Sequence, residues 1–127
     1  MRHAIPCPCG LNSAYADCCG RYVDQSLPAP TAEALMRSRY TAYTLLREEY
    51  VLATWHPDTR PASLSLNDPP TKWLGLTVHT HQQQDADHAT VEFTARYKIG
   101  GRAFRLHELS RFVRLEGQWR YVNGDVN

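Results

Sequence analysis

The chain has 127 residues, 43% of them hydrophobic and 21% charged, with a formal net charge of +1. That length holds one hydrophobic core plus a small appendage, and that composition argues against a disordered chain. The near-neutral balance leaves no basic excess to draw in nucleic acid, so the charge does not point to that partner.

Met1-Arg2-His3 runs into Ala4-Ile5-Pro6-Cys7 and not into an apolar stretch, so no signal peptide is read. No segment has the length of a membrane span, because Arg, Glu or Pro interrupts every apolar run. The expectation is a cytoplasmic protein, in a compartment where thiols stay reduced.

All four cysteines fall in the first twenty residues, as Cys7-Pro8-Cys9-Gly10 and, eight residues on, Cys18-Cys19-Gly20. Reduced thiols gathered in a short, glycine-punctuated segment predict a metal knuckle. Four soft sulfur ligands in a tetrahedron suit Zn²⁺, and four protein ligands leave no open position for water. The site is therefore expected to be structural, with Cys7, Cys9, Cys18 and Cys19 as ligands. His3 is the one alternative ligand nearby and is read as a solvated terminal residue. A filled site would take the net charge to about −1.

Leu27-Pro28-Ala29-Pro30 stiffens the chain and blocks helix propagation, which sets a module boundary near residue 30. The reading is a knuckle over residues 1–24 and a second unit over 31–127, whose sheet core is expected to fold without the knuckle. Thr31 is a good N-cap, with Glu33 in the first turn. Residues 31–55 carry a helical pattern in which Met36, Tyr40, Tyr43, Arg47 and Tyr50 recur at three- and four-residue steps. Arg47-Glu48-Glu49 leaves open whether this is one helix or two. Pro57 ends it, with room for a short third helix between Asp58 and Leu66.

From Trp73 the period becomes two, and strands are predicted at 73–83, 88–99, 102–114 and 118–126. Gly100-Gly101 and Glu116-Gly117 are tight hairpin connectors. The fold class is α+β, with helices packed on a four-stranded antiparallel meander. Counting back from the two turns pairs Phe93 with Glu108, Val91 with Ser110, Phe112 with Tyr121, Ser110 with Asn123, and Glu108 with Asp125. One sheet face is then apolar along most of its length and polar at one end, as a ligand cavity would be.

Glu108 is the unusual placement. It could be a general base beside Asp125, reached by His56, or a buried carboxylate paired with Arg39 on the covering helix. A ligand in the cavity would meet Arg39, Trp55, Tyr97 and Glu108. His79 and His81 form a surface pair without a third ligand, and His107 and Arg111 fall on the face opposite Glu108. No Ser-His-Asp set, phosphate loop or dinucleotide fingerprint is present.

The spacing Cys7-x-Cys9-Gly10 … Cys18-Cys19-Gly20 resembles the SEC-C zinc motif, which also occurs in the C-terminal tail of the SecA translocation ATPase. The chain departs from that motif's usual Ser-Gly-x-Lys at Leu11-Asn12-Ser13-Ala14 and is less basic there. Arg37-Ser38-Arg39-Tyr40, Thr54-Trp55-His56-Pro57, Phe93-x-Ala95-Arg96-Tyr97 and Leu106-His107-Glu108-x-Ser110-Arg111-Phe112 resemble the YchJ-like family of small bacterial proteins. That resemblance covers almost the whole chain. It implies the cone-shaped fold of the nuclear-transport-factor and ketosteroid-isomerase superfamily, and little about activity.

The function expected from these readings is a zinc-binding adaptor whose knuckle presents Arg21 and Tyr22 to a protein or ribonucleoprotein partner. The alternative is a small-molecule binder or enzyme working in the cavity around Glu108.

Overall fold

The computed structural model describes residues 5–127; His3 lies outside them. After a short 3₁₀ turn at Tyr15–Asp17 come α1 (Gly20–Val23), α2 (Ala32–Thr44) and α3 (Glu48–Ala53). Four strands follow, β1 (Lys72–Gln83), β2 (His88–Ile99), β3 (Arg102–Leu115) and β4 (Gln118–Val126). They form one antiparallel sheet in chain order, an α+β meander with the helices on one face. Among the described residues no helix is long and apolar enough to cross a membrane.

The helical region is two helices, and the sequence chemistry explains both ends. The Thr31 hydroxyl accepts the Ala34 N–H at 3.0 Å, satisfying one of the open donors of α2. At the other end the Arg47 N–H returns to the Ala42 carbonyl and the Leu46 N–H to the Tyr43 carbonyl. This double return is a Schellman cap, and it requires a left-handed residue at Leu46, whose φ is 58°. Glu48 and Glu49 then sit in the first turn of α3, where the helix dipole favours them. The short helix allowed for between Asp58 and Leu66 is absent; those residues form turns and bends.

Leu46 is half exposed and sits in a conformation that glycine adopts freely. Leu46→Gly is therefore expected to raise stability by about 1 kcal/mol, read as a higher urea midpoint at unchanged slope. A lower midpoint would mean that the leucine side chain contributes more than its backbone strain costs.

The first two hairpin strands pair in the expected register: Ile99 opposes Arg102, Phe93 opposes Glu108 and Val91 opposes Ser110. The last hairpin departs from it. Phe112 opposes Tyr121, but Arg111 then opposes Asn123, so Val122 is an extra residue in β4. This β-bulge shifts the remainder by one and turns every later side chain to the other face. Ser110 opposes Gly124, and Glu108 opposes Val126. Asn123 and Asp125 therefore lie on the outer face, where both bind Arg111. Asp125 is not a neighbour of Glu108.

The core joins Leu35, Met36 and Tyr40 of α2 to Leu76, Val91, Phe93, Phe112 and Trp119 of the sheet. The same contiguous cluster contains all four cysteines. Arg37 donates to the Cys9 carbonyl at 2.8 Å, and the Cys7 sulfur lies 3.8 Å from the Thr41 hydroxyl. The knuckle is thus packed into the core of the body it precedes.

Candidate functional sites: a four-cysteine cluster and a polar-ended cavity

The N-terminal segment folds as a small loop closed by its own backbone. Pro6 bridges Ala14, the Cys7 N–H donates to the Ser13 carbonyl, and Gly10 turns the chain with φ 91°. A side chain at Gly10 would press on the Leu76 carbonyl, so glycine also permits the close approach to β1. Tyr15–Asp17 then brings the chain back, and Cys18 and Cys19 enter α1.

The result is four sulfurs within 4.8 Å of one another, all on buried residues. Cys9 and Cys18 are 3.7 Å apart, far beyond a disulfide bond. A tetrahedron with metal–sulfur bonds of about 2.3 Å has edges of about 3.8 Å, so the spacing fits a metal ion of that kind. The proton balance fits as well. Hydrogen bonding from Cys19 lowers the Cys9 thiol to about 5. Burial, followed by the neighbouring Cys9, raises Cys18 to about 11. Cys19 is raised too, first by its bond to Cys9 and then by burial. Crowded sulfurs that resist joint ionisation are the donor set a divalent cation stabilises.

The second site is a cavity of about 310 Å³ between α2, the end of α3 and the sheet. Its wall is largely aromatic, including Tyr40, Tyr43, Trp55, Trp73, Phe93 and Phe112. Its polar groups are Arg39, Glu108, Ser110 and Tyr121. Trp55 reaches it because α3 is pinned to β4: the Tyr121 N–H donates to the Thr54 carbonyl and the His56 N–H to the Tyr121 carbonyl.

Arg39 and Glu108 do not form the expected pair. The Arg39 Nη1 donates to the Val51 carbonyl and to the Thr54 hydroxyl, each at 2.7 Å. Its guanidinium lies over the rings of Trp55 and Tyr121, 5.0 and 4.7 Å from their centroids. Burial lowers it to about 10, which leaves it charged at neutral pH. Glu108 accepts instead from the Ser110 hydroxyl and, at 3.0 Å, from the Tyr121 hydroxyl. Burial, followed by the Glu108 charge, raises the Tyr121 phenol. Gly124 makes the seat for this carboxylate, since a β-carbon there would lie 2.3 Å from Oε2.

Of the expected ligand-contacting residues, Arg39, Trp55 and Glu108 meet at the cavity. Tyr97 does not line it; it stacks on Phe104 at 5.4 Å and backs Trp73. His56 is also outside, with its Nδ1 accepting from the Asp58 N–H. The bulge in β1 puts His79 against Thr94 and His107 on the outer face, while His81 approaches Glu33 of α2. His107 is bonded to Glu92, on the face away from Glu108. Tyr121 as the partner of Glu108 is not visible in an unbulged register. The glycine inside a predicted strand, Gly124, was the available signal for the bulge.

The fold and sites define a small α+β protein with an NTF2-like body and a cysteine cluster suited to a metal ion. Residues 31–124 match the family described as YchJ, middle NTF2-like domain, and residues 5–21 match the SEC-C motif. A UPF0225 protein of Bordetella pertussis is 58% identical over 122 residues, covering 94% of this chain and 92% of its own. Another from Cupriavidus metallidurans is 61% identical over 127 residues, covering 95% and 89%. In structure the chain is similar to a SEC-C motif containing protein from Rhodopseudomonas palustris, solved in solution. The TM-score there is 0.85 at 32% identity, over 97% of this chain and 99% of the other. A SEC-C motif containing protein from Psychrobacter arcticus, solved by crystallography, gives 0.79 at 31%, over 96% and 82%. The chain belongs to the YchJ-like family and carries an N-terminal SEC-C motif.

Proposed function

We propose that this is a structural zinc protein, with Cys7, Cys9, Cys18 and Cys19 holding one Zn²⁺ in a closed site. The carrying observation is the cluster of four buried sulfurs at tetrahedral spacing. A reducing cytoplasm is the compartment that suits it. The metal would fix the knuckle on the body and make the pair one interaction module for a protein or ribonucleoprotein partner. The knuckle's outward side chains support that use: Ile5 and Leu11 are 73% and 45% exposed. Arg21 is exposed too, with its Nε bonded to the Cys18 carbonyl, whereas Tyr22 is 7% exposed and faces inward.

Elemental analysis of protein purified without added metal should give about one zinc per chain, the ratio of a single four-ligand site. Zero zinc with freely titrating thiols would sink the reading. In a pull-down, Cys18→Ser is expected to abolish partner capture, while Glu108→Gln leaves it intact.

A second reading is favoured by one observation. Glu108 lines an open cavity, and among the described residues no cationic side chain pairs with it. A carboxylate placed in this way supports a small-molecule site in the body.

A further inference from the structure

Resting on that second reading, we infer that the cavity takes an arylalkyl ammonium, its protonated amine on Glu108 and its ring among Tyr43, Trp55, Trp73 and Phe93. The polar end of the cavity offers one free acceptor, Oε1 of Glu108, and the donors near it are the Arg39 guanidinium and the hydroxyls of Ser110 and Tyr121. Ser110 and Tyr121 both spend their hydroxyl protons on Oε2 of Glu108. Oε1 has no hydrogen-bond partner among the described residues. A ligand that completes this carboxylate must bring N–H or O–H groups, and a charged donor makes the stronger bond.

The walls select in the same direction. Aromatic faces carry the negative side of the ring quadrupole and attract a cation. Arg39 shows that these rings accept one, since its guanidinium already rests on Trp55 and Tyr121. Arg39 is the one cation in the wall, and its Nη1 is committed to Val51 and Thr54. An anionic ligand would have only the remaining Arg39 N–H groups, which lie against the rings of Trp55 and Tyr121, and would still face the Glu108 carboxylate. A cavity of about 310 Å³ sits at the small end of ligand sites, which run from about 300 to 1,000 Å³. One ring and a short amine-bearing arm match that size.

The test compares three probes with the same ring on the zinc-loaded, unmodified full chain: 2-phenylethylammonium, 2-phenylethanol and 3-phenylpropionate. Binding is read from tryptophan fluorescence and from the indole N–H resonances of Trp55 and Trp73. The ammonium should bind at least about tenfold more tightly than the alcohol, the gain a charge-assisted bond supplies. Glu108→Gln, checked for folding by circular dichroism, should bring the ammonium down to the level of the alcohol. Equal binding of alcohol and ammonium, or tightest binding of the propionate, would overturn the cation assignment and leave the cavity reading standing. No response to any of the three would overturn both. The three-probe comparison needs no variant, so a misfolded Glu108→Gln protein does not blunt it.

Discussion

If the four cysteines hold zinc as proposed, removing it with a chelator is expected to destabilise the whole chain in one transition and not the knuckle alone. The four cysteines are 0–6% exposed and belong to the same cluster as Leu35, Met36, Tyr40 and Leu76. Without a cation their sulfurs would stay crowded in that core, with Cys9 prone to ionise and its neighbours resisting. A buried charge without a partner is costly, so the loop would open and take its share of the core with it. Structural zinc contributes about 10–16 kcal/mol in small zinc peptides, against about 5–15 kcal/mol for the net stability of a domain. Even a third of that contribution should lower the melting temperature by roughly 10 °C or more. Near-UV circular dichroism follows the body through Trp73, which packs against Tyr40 and Tyr43 of α2. Cys19→Ser should behave in the same way. If the chelated protein keeps its near-UV signal and its main melting transition, the body folds without the knuckle, as the sequence alone suggests.

What the sequence made legible was set by local chemistry. Strand limits at His88, Ile99 and Gln118 follow from alternation and from glycine turns, and the structure places them there. The cysteine cluster was legible because ligand spacing within twenty residues is itself local. The contacts that were misread are set by packing between distant segments. One extra residue in β4, Val122, moved Asp125 away from Glu108, and hydrophobic alternation carries no mark of a bulge beyond Gly124. The union of knuckle and body escaped for a related reason. The proline-rich linker reads as a boundary, yet the thiols before it and Leu35 after it belong to one buried cluster.

Arg39 carries the second large effect, and it separates two accounts of the cavity. Opposing terms act at this residue. Burying the guanidinium costs desolvation, and it is offset by bonds to Val51 and Thr54 and by the rings of Trp55 and Tyr121. Arg39→Lys keeps the charge but loses the flat guanidinium that lies over both rings while its Nη1 meets both acceptors. It should cost about 3 kcal/mol, the range of charged hydrogen bonds lost with the charge still buried. Arg39→Met removes the charge and fills much of the space, so its cost should be smaller, about 1–2 kcal/mol. Urea denaturation of the two variants gives the order directly. If lysine were tolerated better than methionine, the charge and not the flat guanidinium would be what the site requires. A double-mutant cycle with Glu108→Gln then asks whether Arg39 serves the carboxylate. A buried ion pair broken at one partner loses about 3–5 kcal/mol, much of it shared between the two. No such pair is present here, since Glu108 accepts from Ser110 and Tyr121 and Arg39 donates to Val51 and Thr54. The coupling should therefore stay below about 1 kcal/mol, leaving the Glu108 charge free of Arg39. A larger coupling would restore the arginine–glutamate pair and remove the ground for placing a ligand's cation on that carboxylate.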